Sequence, residues 1–242
     1  MSAIVKRGHS PNDQKEFAGK SVDILLKAGQ DLQYLLNRGY HIKGASTFVG
    51  NHYLLSERQR LALVRAISSE ESIKMRRNKE IESISPGSVV NIDGFNTIIT
   101  LEVALSDSLL LKCMDGTIRD LAALRGTYRL IDKTETAIIL IGKVLEENKA
   151  GKAIFYLDAP VSNSGRLKQK IIELLSQFTF EVEVEVIHNV DAVLAKLDNV
   201  ITSDAIILDK CAGWINLNAR IIKKFHGDYP YIDFSTIFKN SE

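Results

Sequence analysis

The amino-acid sequence predicts an α/β protein: a mostly parallel sheet flanked by helices, preceded by a mainly helical N-terminal domain. Three observations predict this. Apolar residues recur at helical spacing through the first third of the chain. From Ser88 onward, short apolar runs alternate with amphipathic stretches, and repeated strand–helix units imply parallel strands covered by helices on both faces. Between the two regimes stands Ser85-Pro86-Gly87, which interrupts either regular structure. The division expected is a helical, basic domain over residues 1–85 and an α/β domain over residues 86–242.

In chain order, Ser10-Pro11 can start a helix, because proline at the first helical position loses only a donor that is unpaired anyway. Phe17, Val22, Leu25, Leu26, Leu32, Leu35 and Leu36 then follow helical spacing, and Gly39 stops the run. His41 to His52 is too rich in glycine and small polar residues to predict a helix. Ser56-Glu57-Arg58-Gln59 predicts a capping box for a helix to about Ile67, and a third, charged helix spans Glu70 to about Glu82. In the second part, strands are expected at 88–92, 109–113 (ending at the Asp115-Gly116 turn), 153–157, 182–186, 199–202 and 231–234. Helices are expected over 97–105, 134–148, 165–178 and 191–197, with further helix to about Phe225. Val182, Val184 and Val186 alternate with Glu181, Glu183 and Glu185, the pattern of a half-exposed or edge strand.

Composition narrows the classes. At 45% hydrophobic and 25% charged residues, the chain has ordinary globular usage and is not a disordered tract. No apolar run approaches a membrane span, and Met1-Ser2-Ala3-Ile4-Val5-Lys6-Arg7 lacks a signal-peptide core, so a cytoplasmic protein is expected. Cys113 and Cys211 make neither a CxxC motif nor a disulfide framework, and buried thiols in a reducing compartment fit them. Charge is unevenly spread: residues 1–85 carry 14 Lys and Arg against 9 Asp and Glu, whereas the remainder carries 17 against 21. A polyanion on the first part and cations on the second fit that split, as do solvated faces. Neither a dinucleotide fingerprint, a P-loop nor a Gly-x-Ser-x-Gly elbow occurs.

In open parallel sheets, ligands bind beyond the carboxyl ends of the strands. Asp93 ends the first expected strand, Asp158 a central one, and Asp204 follows another. Like charges about 4 Å apart repel by roughly 4 kcal/mol at an effective dielectric near 20, which protonation or a cation relieves. Oxygen ligands with no Cys or His cluster favour Mg²⁺ or Mn²⁺ over zinc. Each acid also has a plainer role: Asp93-Gly94 as a turn or cap, Asp158 as a loop cap, Asp204 as an N-cap, Asp209 as an exposed helix residue.

Ile92-Asp93-Gly94-Phe95-Asn96 resembles the opening Asp-x-x-Asn motif of the NYN branch of the PIN-like nucleases. Val200 to Asp209 is similar to their late Thr-x-Asp strand end, with a further acid nearby. The whole chain, on Arg7-Gly8-His9-Ser10-Pro11, Leu35 to Tyr40 and Val49 to Tyr53, also resembles the family known as domain of unknown function 434. The resemblance implies a PIN-like (Rossmannoid) sheet and a divalent-metal-dependent nuclease acting on RNA. It makes Asp93, Asp158 and Asp204 metal ligands and catalytic residues, with Asn96 and Asp209 in support. A further helical acid is implied, with Glu102, Asp120 (beside Arg119) and Glu135 as candidates. Ser162, Ser164 and Arg166 after Asp158 can present hydroxyls and a guanidinium to phosphate, or form a polar loop. Arg58, Arg60, Arg65, Lys74, Arg76, Arg77 and Lys79 can hold phosphates, giving position and salt-sensitive affinity, or lie on solvated helix faces. The other reading is a non-catalytic RNA-binding or scaffold protein with a degenerate site, and a homo-oligomer stays open. A haloacid-dehalogenase-type phosphohydrolase needs a second aspartate where Phe95 stands.

Overall fold

A computed structural model describes residues 6–122 and 126–239; the expectation for Met1 to Val5 lies outside them. The N-terminal part is helical as expected, but its first helix is two, α1 (Asp13–Glu16) and α2 (Lys20–Asn37). The break falls at Gly19, whose φ of +51° suits glycine and not a helix interior. At the other end of α2, Gly39 (φ +81°) closes the expected stop: the Gly39 amide bonds Leu36 O and the Tyr40 amide bonds Leu35 O, a Schellman motif.

The segment that sequence reading leaves non-helical is α3 (Ile42–His52). Small residues are what its packing demands. Ala45, Ser46, Val49 and Gly50 are buried, and a Cβ on Gly50 would meet the Arg60 side chain at 2.5 Å. Tertiary packing overrides weak propensity here. α4 (Glu57–Ala66) begins with the expected Ser56–Gln59 capping box, and α5 (Glu70–Asn78) is capped by Ser69.

From Val89 the chain builds a five-stranded, wholly parallel sheet from β1 (Val89–Asp93), β4 (Lys152–Asp158), β5 (Glu181–Ile187), β6 (Val200–Ile201) and β7 (Trp214–Ile215). The order is β5-β4-β1-β6-β7, so β5 lies at an edge, where its alternating glutamates put it. β2 (Leu110–Lys112) stands outside this sheet. It pairs antiparallel with β3 (Ile118–Asp120) and parallel with β8 (Ile232–Asp233). β3 and β7, three and two residues long, carry too little periodicity to be read in advance, and β7 interrupts the stretch expected to be helix.

The two faces of the large sheet are covered unequally. Val90, Ile92, Ala153, Phe155 and Leu157 pack into the main core with α6 (Gly94–Leu105), α7 (Asp132–Glu147), α8 (Ser164–Leu175) and α11 (Leu217–His226). On the other face, α9 (Val190–Leu194) and α10 (Ala205–Lys210) bury a smaller cluster around Val200 and Trp214, against which Tyr156 packs. Strand alternation places Asp93 and Asp158 on this second face. The N-terminal helices share their own core with Leu111, Cys113, Met114, Leu121, Ile232 and Phe234, so the small sheet is their floor. Both cysteines are buried and free, and burial pushes the Cys113 thiol up to about 12.

Gly94, the first residue of α6, lets the helix start against β4: a Cβ there would lie 2.5 Å from Leu157 Cδ2 and 3.0 Å from the Tyr156 carbonyl. The backbone oxygen cannot give way easily. Gly94→Ala is therefore expected to destabilise the fold by about 1–3 kcal/mol in urea unfolding; an unchanged midpoint would show that the contact relaxes freely.

Candidate functional site

The strand order reverses between β1 and β6: β1 continues through β4 to β5 on one side, while β6 starts the other side with β7. Such a switch point opens a crevice at the carboxyl ends of the strands. Asp93 ends β1, and Thr202-Ser203-Asp204 follows β6. The two segments, more than a hundred residues apart, are tied directly. The Thr202 hydroxyl donates to Asp93 Oδ2 (2.8 Å) and accepts from the Asp204 amide (3.0 Å). Asn96 Oδ1 accepts from the Ser203 amide and hydroxyl at 2.9 and 2.8 Å.

The plainer roles separate here. Asp204 is a real N-cap, its Oδ1 accepting from the Ile206 and Ile207 amides (2.7 and 3.3 Å). Asp93 occupies the N-cap position of α6 without closing a capping bond. It is 7% exposed, and burial pushes its carboxyl up to about 7; the Thr202 hydroxyl opposes this, while Asp204 and Asp191 reinforce it. The other deeply buried carboxylates all have arginines: Glu102 has Arg7 (2.8 Å), Asp115 has Arg76 and Arg119 (2.8 Å each), and Asp120 has Arg65 (3.4 Å). Among the described residues, Asp93 has no such ion pair.

Asp158 lies two residues beyond the partner of Asp93 on β4, about 7 Å further along the strand. Its carboxyl is raised by burial and by Asp191. Asp191, near the start of α9, is the member that sequence reading missed. Burial and Asp204 raise it, and it acts in turn on Asp93 and Asp158. The available signal was its position just after an acidic edge strand, displaced onto the following helix. Among the described residues, no three Asp, Glu, His or Cys side chains stand as a ready-made metal cage.

A cleft of about 720 Å³ opens beside this edge, between the N-terminal helices and the sheet. Asn96, Asp120, Ser203, Asp204 and Asp209 line it, with Arg65, Arg76 and Arg119. Of the three candidates for a further acid, Asp120 reaches the cleft. It accepts from Thr100 Oγ1 and the Ala122 amide (2.8 Å each), and its partner is Arg65, with Arg119 turned to Asp115. Glu102 is held in the interior by Arg7, Tyr128 and Thr134, and Glu135 pairs with Lys170 at the surface.

Of the expected phosphate contacts, Arg65 lines the cleft, whereas others lie elsewhere or are engaged. Arg76 is buried, bonding Asp115, Asp209 (2.6 Å) and Ser68. Arg58 bonds Asp13, Gly8 O and Leu121 O, and Arg77 bonds Met114 O. Ser162 and Asn163 are sewn to Tyr128 backbone, Ser164 is buried, and Arg166 is exposed on α8; none of these lines the cleft.

Fold and site together define a parallel α/β protein with an acidic switch-point edge, roofed by an N-terminal helical layer. The chain belongs to the family described as "Domain of unknown function (DUF5616)", whose model matches residues 82–220. Residues 24–79 match "Protein of unknown function (DUF434)", so the likeness expected for the whole chain is carried by that stretch. Neither description names a PIN-like nuclease. The chain is similar to "Uncharacterized protein MJ0935" of Methanocaldococcus jannaschii, 38% identical over 184 residues that cover 75% of this chain and 88% of that one. No solved structure matches it at a significant level. Among the described residues, no helix is long and apolar enough to cross a membrane.

Proposed function

We propose that the protein hydrolyses phosphodiester bonds in RNA with the help of Mg²⁺ or Mn²⁺, as a PIN-like nuclease. The observation that carries this reading is the closure of Asp93–Asn96 on Thr202–Asp204 at the switch point, beside an open cleft. RNA as the polymer rests on the resemblance of those two motifs.

The donor set suits a hydrated ion. Magnesium is commonly held by one or two carboxylates, with water and substrate phosphate completing its shell. Asp93 and Asp204 supply the two carboxylates, and Asp191 and Asp158 deepen the negative field around them. When bound, the ion supplies a polarised phosphoryl group and a more acidic water. The Thr202 hydroxyl fixes Asp93 Oδ2, and the α10 amides fix Asp204 Oδ1, so each carboxylate keeps one oxygen turned to other work. Arg65, part-exposed on the cleft wall, holds the phosphate.

A second reading, an RNA-binding protein without cleavage, is favoured by the absence of a three-ligand cage among the described residues. Incubation of single-stranded RNA with Mn²⁺ separates the two. Cleavage by the wild type, lowered at least about 100-fold in Asp93→Asn and Asp204→Asn with RNA binding retained, supports hydrolysis. Binding without cleavage by the wild type selects the second reading; neither activity removes both.

A further inference from the structure

The geometry points to a nucleobase-binding shelf in the cleft, built by the N-terminal helices and the first turn of α10. This deepens the proposed function, on which its biological meaning rests. Four apolar side chains in the cleft wall are exposed: Tyr40, Ile42, Val64 and Ile206. They come from three separate places in the chain: the α2–α3 turn, α4 and α10. Exposed apolar side chains gathered in one polar-rimmed cleft mark a ligand surface, whereas single scattered ones do not.

Tyr40 shows the bias most clearly. It occupies the position after the helix-stopping glycine, whose side chain ordinarily packs back on the helix, yet it is 59% exposed. Ile206 is 55% exposed and lies two residues beyond Asp204, so the shelf adjoins the carboxylate edge. The polar side of the same cleft is also incompletely satisfied. Arg119 is 7% exposed, and its Nε has no hydrogen-bond partner although the atom is buried. Arg65, 32% exposed at its side chain, bonds Asp120 through Nη1.

An occupant must therefore be apolar and flat on one side and anionic on the other. A nucleotide meets both demands, and about 720 Å³ lies within the range of small-molecule sites. The base stacks on Tyr40 between Ile42, Val64 and Ile206, while its phosphate faces Arg65. Aromatic stacking tolerates every base, so the shelf selects an unpaired nucleotide and not a sequence.

Binding without divalent ion, read by calorimetry on the full chain, tests this with adenosine 5′-monophosphate and ribose 5-phosphate. The nucleotide is expected to bind at least about ten-fold more tightly than the sugar phosphate. Tyr40→Ala and Ile206→Ser should erase most of that difference without weakening ribose 5-phosphate; both sites are exposed, and melting curves confirm folding. Equal affinity for the two probes, or full nucleotide affinity in both variants, overturns the shelf. Nucleotide-independent dimerisation abolished by the same variants also overturns it, in favour of a second copy of the chain. Nucleotide binding through the shelf by a protein that cuts no RNA leaves the shelf standing and removes the nuclease reading. RNA cleavage by a protein whose shelf variants bind and cut normally does the reverse.

Discussion

Asp93→Asn is expected to make the ion-free protein more stable at about pH 8, by as much as about 4 kcal/mol, while leaving stability at about pH 3 almost unchanged. The sign follows from the raised ionisation of the buried carboxyl, about 7 against an ordinary 3.8. Between those values the folded chain holds a proton that the unfolded chain has released. Stability from the neutral carboxyl is full below the ordinary value and lost as pH rises through about 7. Asparagine stays neutral throughout, and its Oδ1 can still accept from the Thr202 hydroxyl. A divalent ion should rescue the wild type at about pH 8 and do nothing for the variant, because the same charge that strains the ion-free protein attracts the cation. Urea titrations at the two pH values, with and without Mn²⁺, read all four conditions. An equal stability difference at both pH values would contradict a buried titrating group. Loss of the rescue alone would leave the burial argument intact and remove the cation.

Arg76→Met is expected to destabilise the protein by about 3–5 kcal/mol, since removing one partner leaves buried charge uncompensated. Arg76 is 3% exposed and joins three parts of the fold. It sits on α5, bonds Asp115 at the β2–β3 turn and Asp209 on α10, and its carbonyl accepts from Trp214 Nε1 (2.7 Å). Burial alone would raise Asp115, but Arg119 and Arg76 outweigh it and hold its carboxyl below the ordinary range. That contribution is present above the ordinary carboxylate value and lost as pH falls through the depressed one. The penalty in Arg76→Met should therefore shrink in strong acid. An Arg76→Met/Asp115→Asn double variant should be more stable than the sum of the two single losses predicts. Because Asp209 shares a six-residue helix with the Asp204 cap, faster amide exchange at Ile206 and Ile207 should accompany the loss. Unfolding of the single variant at the wild-type midpoint would show that Arg119 suffices.

Particular residues show why some of this was legible and some was not. The Ser56–Gln59 capping box and the glutamate alternation of β5 are patterns complete within a few residues, and both stand where sequence reading puts them. α3 was misread because Gly44, Gly50 and its small polar residues lower helix propensity, while the benefit of Gly50 comes from Arg60 on another helix. β2 was legible as a strand but not as a member of a second sheet, since its partners are β3 and β8, the latter more than a hundred residues away. The arginines of the N-terminal part were legible as positive charge. Whether they were free was not, because Asp115 and Asp209 lie on other elements.

The sequence by itself determined most of the strands and helices and that aspartates stand at or just beyond three strand ends, because those patterns repeat every two or 3.6 residues. Only the tertiary structure decided that β1 lies beside β6, that Asp191 joins the acidic edge, and that Asp93 is buried without an arginine. Strand order and burial come from contacts between distant segments competing for one core. No local period encodes them, and a carboxylate's ionisation depends on what that competition leaves beside it.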